Sequence, residues 1–220
     1  MHDFHTHSFF SDGELSPMEL IRRCQAAGYE TVAITDHVAG AGLERLVAEV
    51  SADCQLAVEH YGFRAICGVE ITHVPPAAIA ELAARARAAG AGIVVVHGET
   101  LVEPVISGTN RAAVECPEVD ILAHPGLISE EEAALAAQNG VFLEITTRKG
   151  HCLANGHVAR VARAVGAKLV LGTDTHGPGD LISREFAERV LRAAGLSAEE
   201  AERVLADAPA ELIRRAGVLA

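Results

Sequence analysis

Histidines and carboxylates return along this chain in short groups, each after a run of apolar residues. The N-terminus reads Asp3-Phe4-His5-Thr6-His7 and then Ser11-Asp12-Gly13. Thr173-Asp174-Thr175-His176 stands near the other end. Between them lie Thr35-Asp36-His37, Gly68-Val69-Glu70, Val96-His97 and Ala123-His124-Pro125. His5 and His7 are two apart, as are Asp174 and His176, and on an extended segment such side chains face the same way. Imidazole combined with carboxylate suits Zn2+, Mn2+ or Fe2+, and a shared carboxylate suits more than one ion. A lone HxH is weak evidence. Its recurrence with Asp-His, Glu, His, His and Asp-x-His at successive strand ends points to a multinuclear metal site.

Those groups need elements that bring them together. The pattern predicts seven strands, near residues 2–6, 31–35, 64–72, 92–97, 120–124, 141–145 and 168–172. Helices alternate with them. Ser16-Pro17-Met18-Glu19 reads as a capping box with proline at the first helical position, and Gly28 as the residue after that helix. Further helices are predicted over 43–60, 77–89 and 154–165, and one after Ser129, whose Glu130-Glu131-Glu132 supply first-turn acids. Residues 100–116 read as a loop with short helical pieces. From about Ser183 the chain reads as two or three helices separated by Gly195 and Pro209, with 182–220 packing on the preceding fold.

Strands alternating with helices imply a parallel sheet. The residues just past each strand then share one face. A flat sheet would spread seven such groups over roughly 30 Å at ~4.8 Å per strand. Only a closed or nearly closed barrel sets His5 and His7 beside Asp174 and His176. A (β/α) barrel carries its active site on that face, and one domain over 1–220 is expected.

Composition sets limits. The 220 residues are 50% hydrophobic and 22% charged, with no tryptophan and 4% aromatics, so Ala, Val, Leu and Ile must fill the core. The formal charge of −12 argues against a broad surface for a phosphate backbone, and no extended nucleic-acid partner is expected. It leaves room for a phosphate at bound cations. Five cysteines without a CxxC, and no signal-like N-terminus, predict free thiols and a cytoplasmic protein. No apolar run approaches ~18 residues, so no membrane span is expected.

The series FHTHSFFSDG, ITDH, GVE, VVH, AHP and TDTH resembles the motifs of the PHP family, named for polymerase and histidinol phosphatase. The resemblance runs from residue 3 to 176 in the family's order. It implies a distorted (β/α)7 barrel and a centre of two or three divalent ions, Zn, Mn or Fe, that hydrolyses phosphoesters. Position by position, it implies a first ion on His5, His7, Glu70 and Asp174. A second would share Glu70 and add His97 and His124. A third would sit on Asp12, His37 and His176. Glu70, Asp174 and His176 would be the catalytic members. Such ions ready a water for in-line attack on phosphorus and offset the developing charge. Asp3 and Asp36 are candidates for taking a ligand imidazole N–H and fixing its tautomer.

Arg148-Lys149-Gly150-His151 follows a strand, and so lies on the same face. A basic pair in an acidic chain suggests contact with substrate phosphate. Glu99 and Arg111, in the segment after His97, are candidates for the organic part of a substrate. His2, His60, His73 and His157 match no motif position and read as surface or packing residues.

The reading is a metal-dependent phosphoesterase acting on a small phosphomonoester, with histidinol phosphate the specific guess. Its rivals are a nucleotide phosphatase or exonuclease, and a metal-binding regulatory module without activity. A metal-dependent amidohydrolase also uses HxH on a first strand. It would want a mid-chain lysine or a further histidine ligand, and no lysine precedes Lys149.

Overall fold

A computed structural model describes residues 1–217. Seven parallel strands run in sequence order around the sheet: β1 (His2–Asp3), β2 (Thr31–Ile34), β4 (Arg64–Ile71), β5 (Ile93–His97), β6 (Ile121–Ala123), β7 (Phe142–Thr146) and β8 (Leu169–Gly172). An added two-residue strand, β3 (His37–Val38), continues beyond β2 and pairs His37 with Glu70 of β4. The ring nearly closes where Thr6 and Thr175 bridge in parallel. There the His7 amide donates to the Thr175 carbonyl at 2.8 Å, and the Asp174 amide to the His5 carbonyl at 2.9 Å. This is the expected distorted (β/α)7 barrel.

Strand periodicity explains what fills the barrel. Ile66, Ile93, Val95, Ile121, Phe142 and Val170 form the inner cluster. Their neighbours Cys67, Val94, Val96, Leu122, Leu143 and Leu171 pack outward against the helices. Side chains alternate with period two along a strand. The inward phase of β5 therefore runs Ile93, Val95, His97, that of β7 runs Phe142, Glu144, and that of β4 runs from Ile66 to Glu70. Apolar residues occupy the lower barrel, and the same phase delivers ligand-type residues to its upper end.

Between the strands lie α1 (Pro17–Ala26), α2 (Leu43–Tyr61), α3 (Ile79–Ala89), α4 (Thr109–Glu115), α5 (Glu130–Asn139) and α6 (Asn155–Val165). Ser129 and Glu132 form a full capping box on α5. On α1 the box is half made. Ser16 accepts from the Glu19 amide, while the Glu19 carboxylate turns to Arg23. Gly28 follows α1 at φ +82°, the left-handed turn its position predicts.

The C-terminal part holds two helices, α7 (Arg184–Ala193) and α8 (Ala198–Arg215). The expected break at Pro209 does not occur, because Pro209 lies inside α8. The helix forgoes one backbone hydrogen bond there. In return Ala208 and Leu212 join the inner cluster and seal the barrel floor. The last residues of the expected 182–220 segment, 218–220, lie outside the described residues. No described helix is long and apolar enough to cross a membrane, and all five cysteines are free.

Candidate metal centre

The upper ends of the strands meet around Glu70, which is fully buried. Its Oε1 stands 3.3 Å from His5 Nε2 and 3.7 Å from His124 Nε2, and its Oε2 3.6 Å from His7 Nε2. His7 Nε2 is 3.1 Å from Asp174 Oδ1. Asp12 Oδ1 lies 3.1 Å from His176 Nε2 and 3.4 Å from His37 Nε2. Two ligand atoms at about 2.1 Å from one ion, at 90–110°, stand about 3.0–3.4 Å apart. Four of the six separations lie in that range and two are slightly longer, at 3.6 and 3.7 Å.

Three sets of donors could each hold one. They are His5, His7 and Asp174; Glu70, His97 and His124; and Asp12, His37 and His176 with His7 alongside. All nine residues expected as ligands are thus gathered in one place.

Tautomers sharpen the argument. His97 Nδ1 faces the Gly98 carbonyl at 3.2 Å, and His176 Nδ1 the Asp174 carbonyl at 2.9 Å. A carbonyl only accepts, so each Nδ1 is a protonated nitrogen, and in the neutral ring Nε2 carries a lone pair. His5 Nδ1 lies 2.7 Å from the Glu144 carboxylate and is held the same way. His37 Nδ1 lies 2.7 Å from Thr72 Oγ1, whose proton goes to the Glu70 carbonyl. In the neutral rings the Nε2 lone pairs face carboxylate oxygens, a repulsion that a proton or a metal ion between them removes. His5 Nε2, both nitrogens of His7 and Glu70 Oε1 are buried without a hydrogen-bond partner, and Glu70 Oε2 has only His37 Nδ1, 2.8 Å away and already directed to Thr72. Buried polar atoms rarely stay unpaired, and here their chemistry fits a metal.

The proton equilibria report the same demand. Burial acts to lower His37, yet Glu70 and Asp12 outweigh it and raise its pKa to about 10. Burial opposes a charge on His5 too, but Glu144, Glu70 and Asp174 raise it well above the ordinary value. Burial works against the charged form of Glu70, and His5 and His37 still hold its pKa well below the usual range. The centre draws positive charge, from protons or from metal ions.

Backbone strain gathers here as well. His124 has φ +27° and Asp174 φ +53°, a region L-residues seldom adopt. For His124 the departure breaks the alternation of β6 and turns the ring toward Glu70.

Glu144 is the residue that sequence reasoning missed. Besides His5, it accepts the His124 amide at 3.0 Å, and so braces two of the expected ligands at once. Gly172 makes room for it, since a Cβ there would stand 1.9 Å from Glu144 Oε1. The role expected of Asp3 and Asp36 falls to Glu144. Asp3 binds the His5 and Thr173 amides and the Thr173 hydroxyl. Asp36 binds the Ser8 amide and the Ser8 and Ser11 hydroxyls. Both tie the ligand-bearing loops together without touching an imidazole.

A cavity of about 400 Å3 opens above the centre, with Asp12, His37, His97, Asp174 and His176 in its wall. Arg148 and His151 line it too, and Arg148 is held 3.3 Å from Asp180. Lys149 is exposed and is not part of the lining. Arg111 and Glu99 are not brought to the cavity. Arg111 pairs with Glu115 and Glu131 on the helical exterior, and the Glu99 carboxylate accepts the Gly108 and Asn110 amides. His73, read as a surface or packing residue, lines the cavity with Glu103.

Comparison with known proteins defines the class. The PHP domain model matches residues 3–139, and the chain belongs to that family. It is 46% identical over 97% of its length to an uncharacterized protein of Methanocaldococcus jannaschii, of which it covers 98%. It is 27% identical to ribonuclease P protein component 3 of Methanosarcina mazei, over 97% of this chain and 89% of that one. Among solved structures, a chain of archaeal ribonuclease P with mature tRNA shares the fold with TM-score 0.72 and 17% identity, over 97% of this chain and 90% of that one. A two-domain protein from Bacteroides vulgatus containing a predicted PHP-like metal-dependent phosphoesterase shares it with TM-score 0.51 and 18% identity, over 80% and 52%.

The ribonuclease P relatives overturn the expectation of no extended nucleic-acid partner. That expectation rested on net charge, which sums the whole surface. It does not report the local field at a mouth lined by imidazoles, acids and an arginine, whose donors could hold cations.

Proposed function

We propose that this chain hydrolyses a phosphate ester with two or three divalent ions, Zn, Mn or Fe, held on His5, His7, Glu70 and Asp174, on Glu70, His97 and His124, and on Asp12, His37 and His176. The observation that carries the reading is Glu70, a fully buried carboxylate that meets only imidazoles, His5 Nε2 at 3.3 Å, His7 Nε2 at 3.6 Å, His124 Nε2 at 3.7 Å and His37 Nδ1 at 2.8 Å, and no Lys or Arg among the described residues. When bound, the ions lower the pKa of water and offset charge on the phosphoryl group. The chain supplies the rest. Glu70 and Asp174 provide the negative charge that retains cations. Glu144 keeps His5 in the tautomer that presents Nε2. Arg148, steadied by Asp180, offers guanidinium N–H donors to a phosphate in the cavity.

A cavity of this volume suits a phosphate with a small organic group, so a small phosphomonoester is the first reading, and histidinol phosphate its specific form. A second reading is favoured by the likeness to ribonuclease P protein component 3 along nearly the whole chain. In it, the ester belongs to RNA. Screening the metal-loaded protein against phosphomonoesters, nucleotides and 5′- or 3′-phosphorylated oligoribonucleotides separates the two. Turnover of histidinol phosphate or an aryl phosphate supports the first, and turnover of oligonucleotides alone supports the second. Turnover of none of them, with metal bound, overturns the hydrolase.

A further inference from the structure

The loop between β5 and α4 returns one carboxylate to the cavity that belongs to none of the three ligand sets. Glu103 Oε2 stands 3.0 Å from His97 Nε2 and 3.3 Å from His73 Nε2. Its Oε1 stands 3.3 Å from His151 Nε2. His97 Nε2 thus lies against a carboxylate other than Glu70, with which it shares the inner donor set. His73, His97 and Glu103 form a further group of donors able to hold an ion.

This outer set and the inner set of Glu70, His97 and His124 have His97 in common. His97 has a single free nitrogen, since its Nδ1 is engaged with Gly98. It can serve one ion at a time, so both sets cannot be complete together. Exposure falls steeply along the line that joins them. The side chains of His73 and Glu103 are 45% and 37% exposed, that of His97 4%, and that of Glu70 0%. The donors form a path from solvent to the buried centre.

The outer donors are fixed in place. Glu99 ties the two ends of the loop by accepting the Gly108 and Asn110 amides. His151 Nδ1 lies 2.8 Å from Thr100 Oγ1. His73 adopts φ +52° just after β4, and its ring stands 5.0 Å from that of His97.

We propose that His73 and Glu103 form an entry position for divalent cations, from which an ion passes by way of His97 to the inner set. The inference rests on the metal centre proposed above and not on any particular substrate. A carboxylate at the mouth raises the local concentration of cations. The exposed imidazole exchanges water for nitrogen before the ion loses the rest of its shell.

The test measures metal uptake. The full chain is stripped with a chelator, mixed with Zn2+ and a chromophoric zinc indicator, and followed in time, with final content read by elemental analysis. Glu103→Gln should slow uptake by about 10-fold or more, the scale of electrostatic focusing on an association rate, and His73→Ala should slow it through loss of the exposed nitrogen donor, both while reaching the parent's final content. Glu131→Gln, which removes the same charge from the outer surface, should leave the rate unchanged. Parent-like rates in both mouth variants overturn the proposal. So does a lower final content in Glu103→Gln, which would make Glu103 a resident ligand. A parent that takes up no zinc sinks the metal centre itself, and the entry position with it.

Discussion

The two ends of the barrel use the same kinds of side chain in opposite ways. At the lower end, Asp120 is buried and fully engaged. It accepts the Val94 amide at 2.9 Å and an Arg87 N–H at 2.5 Å, with Arg215 3.8 Å away. Arg87 also donates to the carbonyls of Ala91, Gly92 and Glu118. Lys168 pairs with Glu211 at 2.7 Å, and Arg215 lies over the Phe142 ring. Asp120 and Glu211 each meet a permanent cation. At the upper end Glu70, Asp174 and Asp12 meet imidazoles, whose charge is not permanent, and the backbone is strained at His124 and Asp174. A paired carboxylate holds the fold together. A carboxylate left facing lone pairs recruits a cation from outside. Charge alone does not distinguish the two ends. What distinguishes them is whether the fold itself supplies the countercharge.

Substitutions at each end test that division. The largest effect is expected from Glu70→Gln, which keeps shape but removes the charge placed between the ligand sets. Activity should fall by about 10²–10³-fold or more, as when a central electrostatic group is lost. Elemental analysis should show more than one ion's share missing. Near-normal turnover would end the bridging role.

Glu144→Gln comes next. Its amide keeps the volume but can turn an N–H toward His5 Nδ1. The imidazole proton then moves to Nε2, which can no longer ligate. Loss of such a supporting group costs about 10–100-fold in metal affinity. Competition with a chelator of known affinity measures it. Unchanged affinity would reduce Glu144 to a space-filler beside Gly172.

At the lower end the sign of the test reverses. Arg87→Ala removes a charged donor from Asp120 and should cost about 1.5–3 kcal/mol of stability, read by denaturant unfolding. Metal content and turnover of the folded fraction should stay at the parent's values. Metal loss in that variant would mean that the two ends are not separable.

Much of the upper end is legible in the sequence because strand periodicity carries it. His97 continues the inward phase of Ile93 and Val95, and Glu70 that of Ile66, so a linear pattern already specifies a direction in space. Ser129 likewise announces α5 through chemistry confined to four residues. What escapes depends on distant partners. Glu144 looks like an isolated acid in an apolar strand until His5, 139 positions away, is beside it. His73 and Glu103 lie outside regular structure, where no period fixes direction. Pro209 carries a strong local signal for a break, and burial of Ala208 and Leu212 overrides it. Net charge misled for a related reason, since a sum holds no positions.

The smallest effect separates two neighbours that sequence treats alike. Arg148 lines the cavity and is steadied by Asp180, whereas Lys149 is exposed and outside the lining. A charge-assisted contact to phosphate is worth about 1.5–3 kcal/mol, or about 10-fold or more in kcat/KM at 1.4 kcal/mol per decade. Arg148→Ala should show that loss with metal content intact, and inorganic phosphate should inhibit it less than the parent. Screening by water leaves an exposed ammonium little to contribute, so Lys149→Ala should follow the parent closely. Equal losses in both would show the loop reorganising around the substrate. No loss in either would leave the phosphate to the metal ions and make this loop part of the solvated rim.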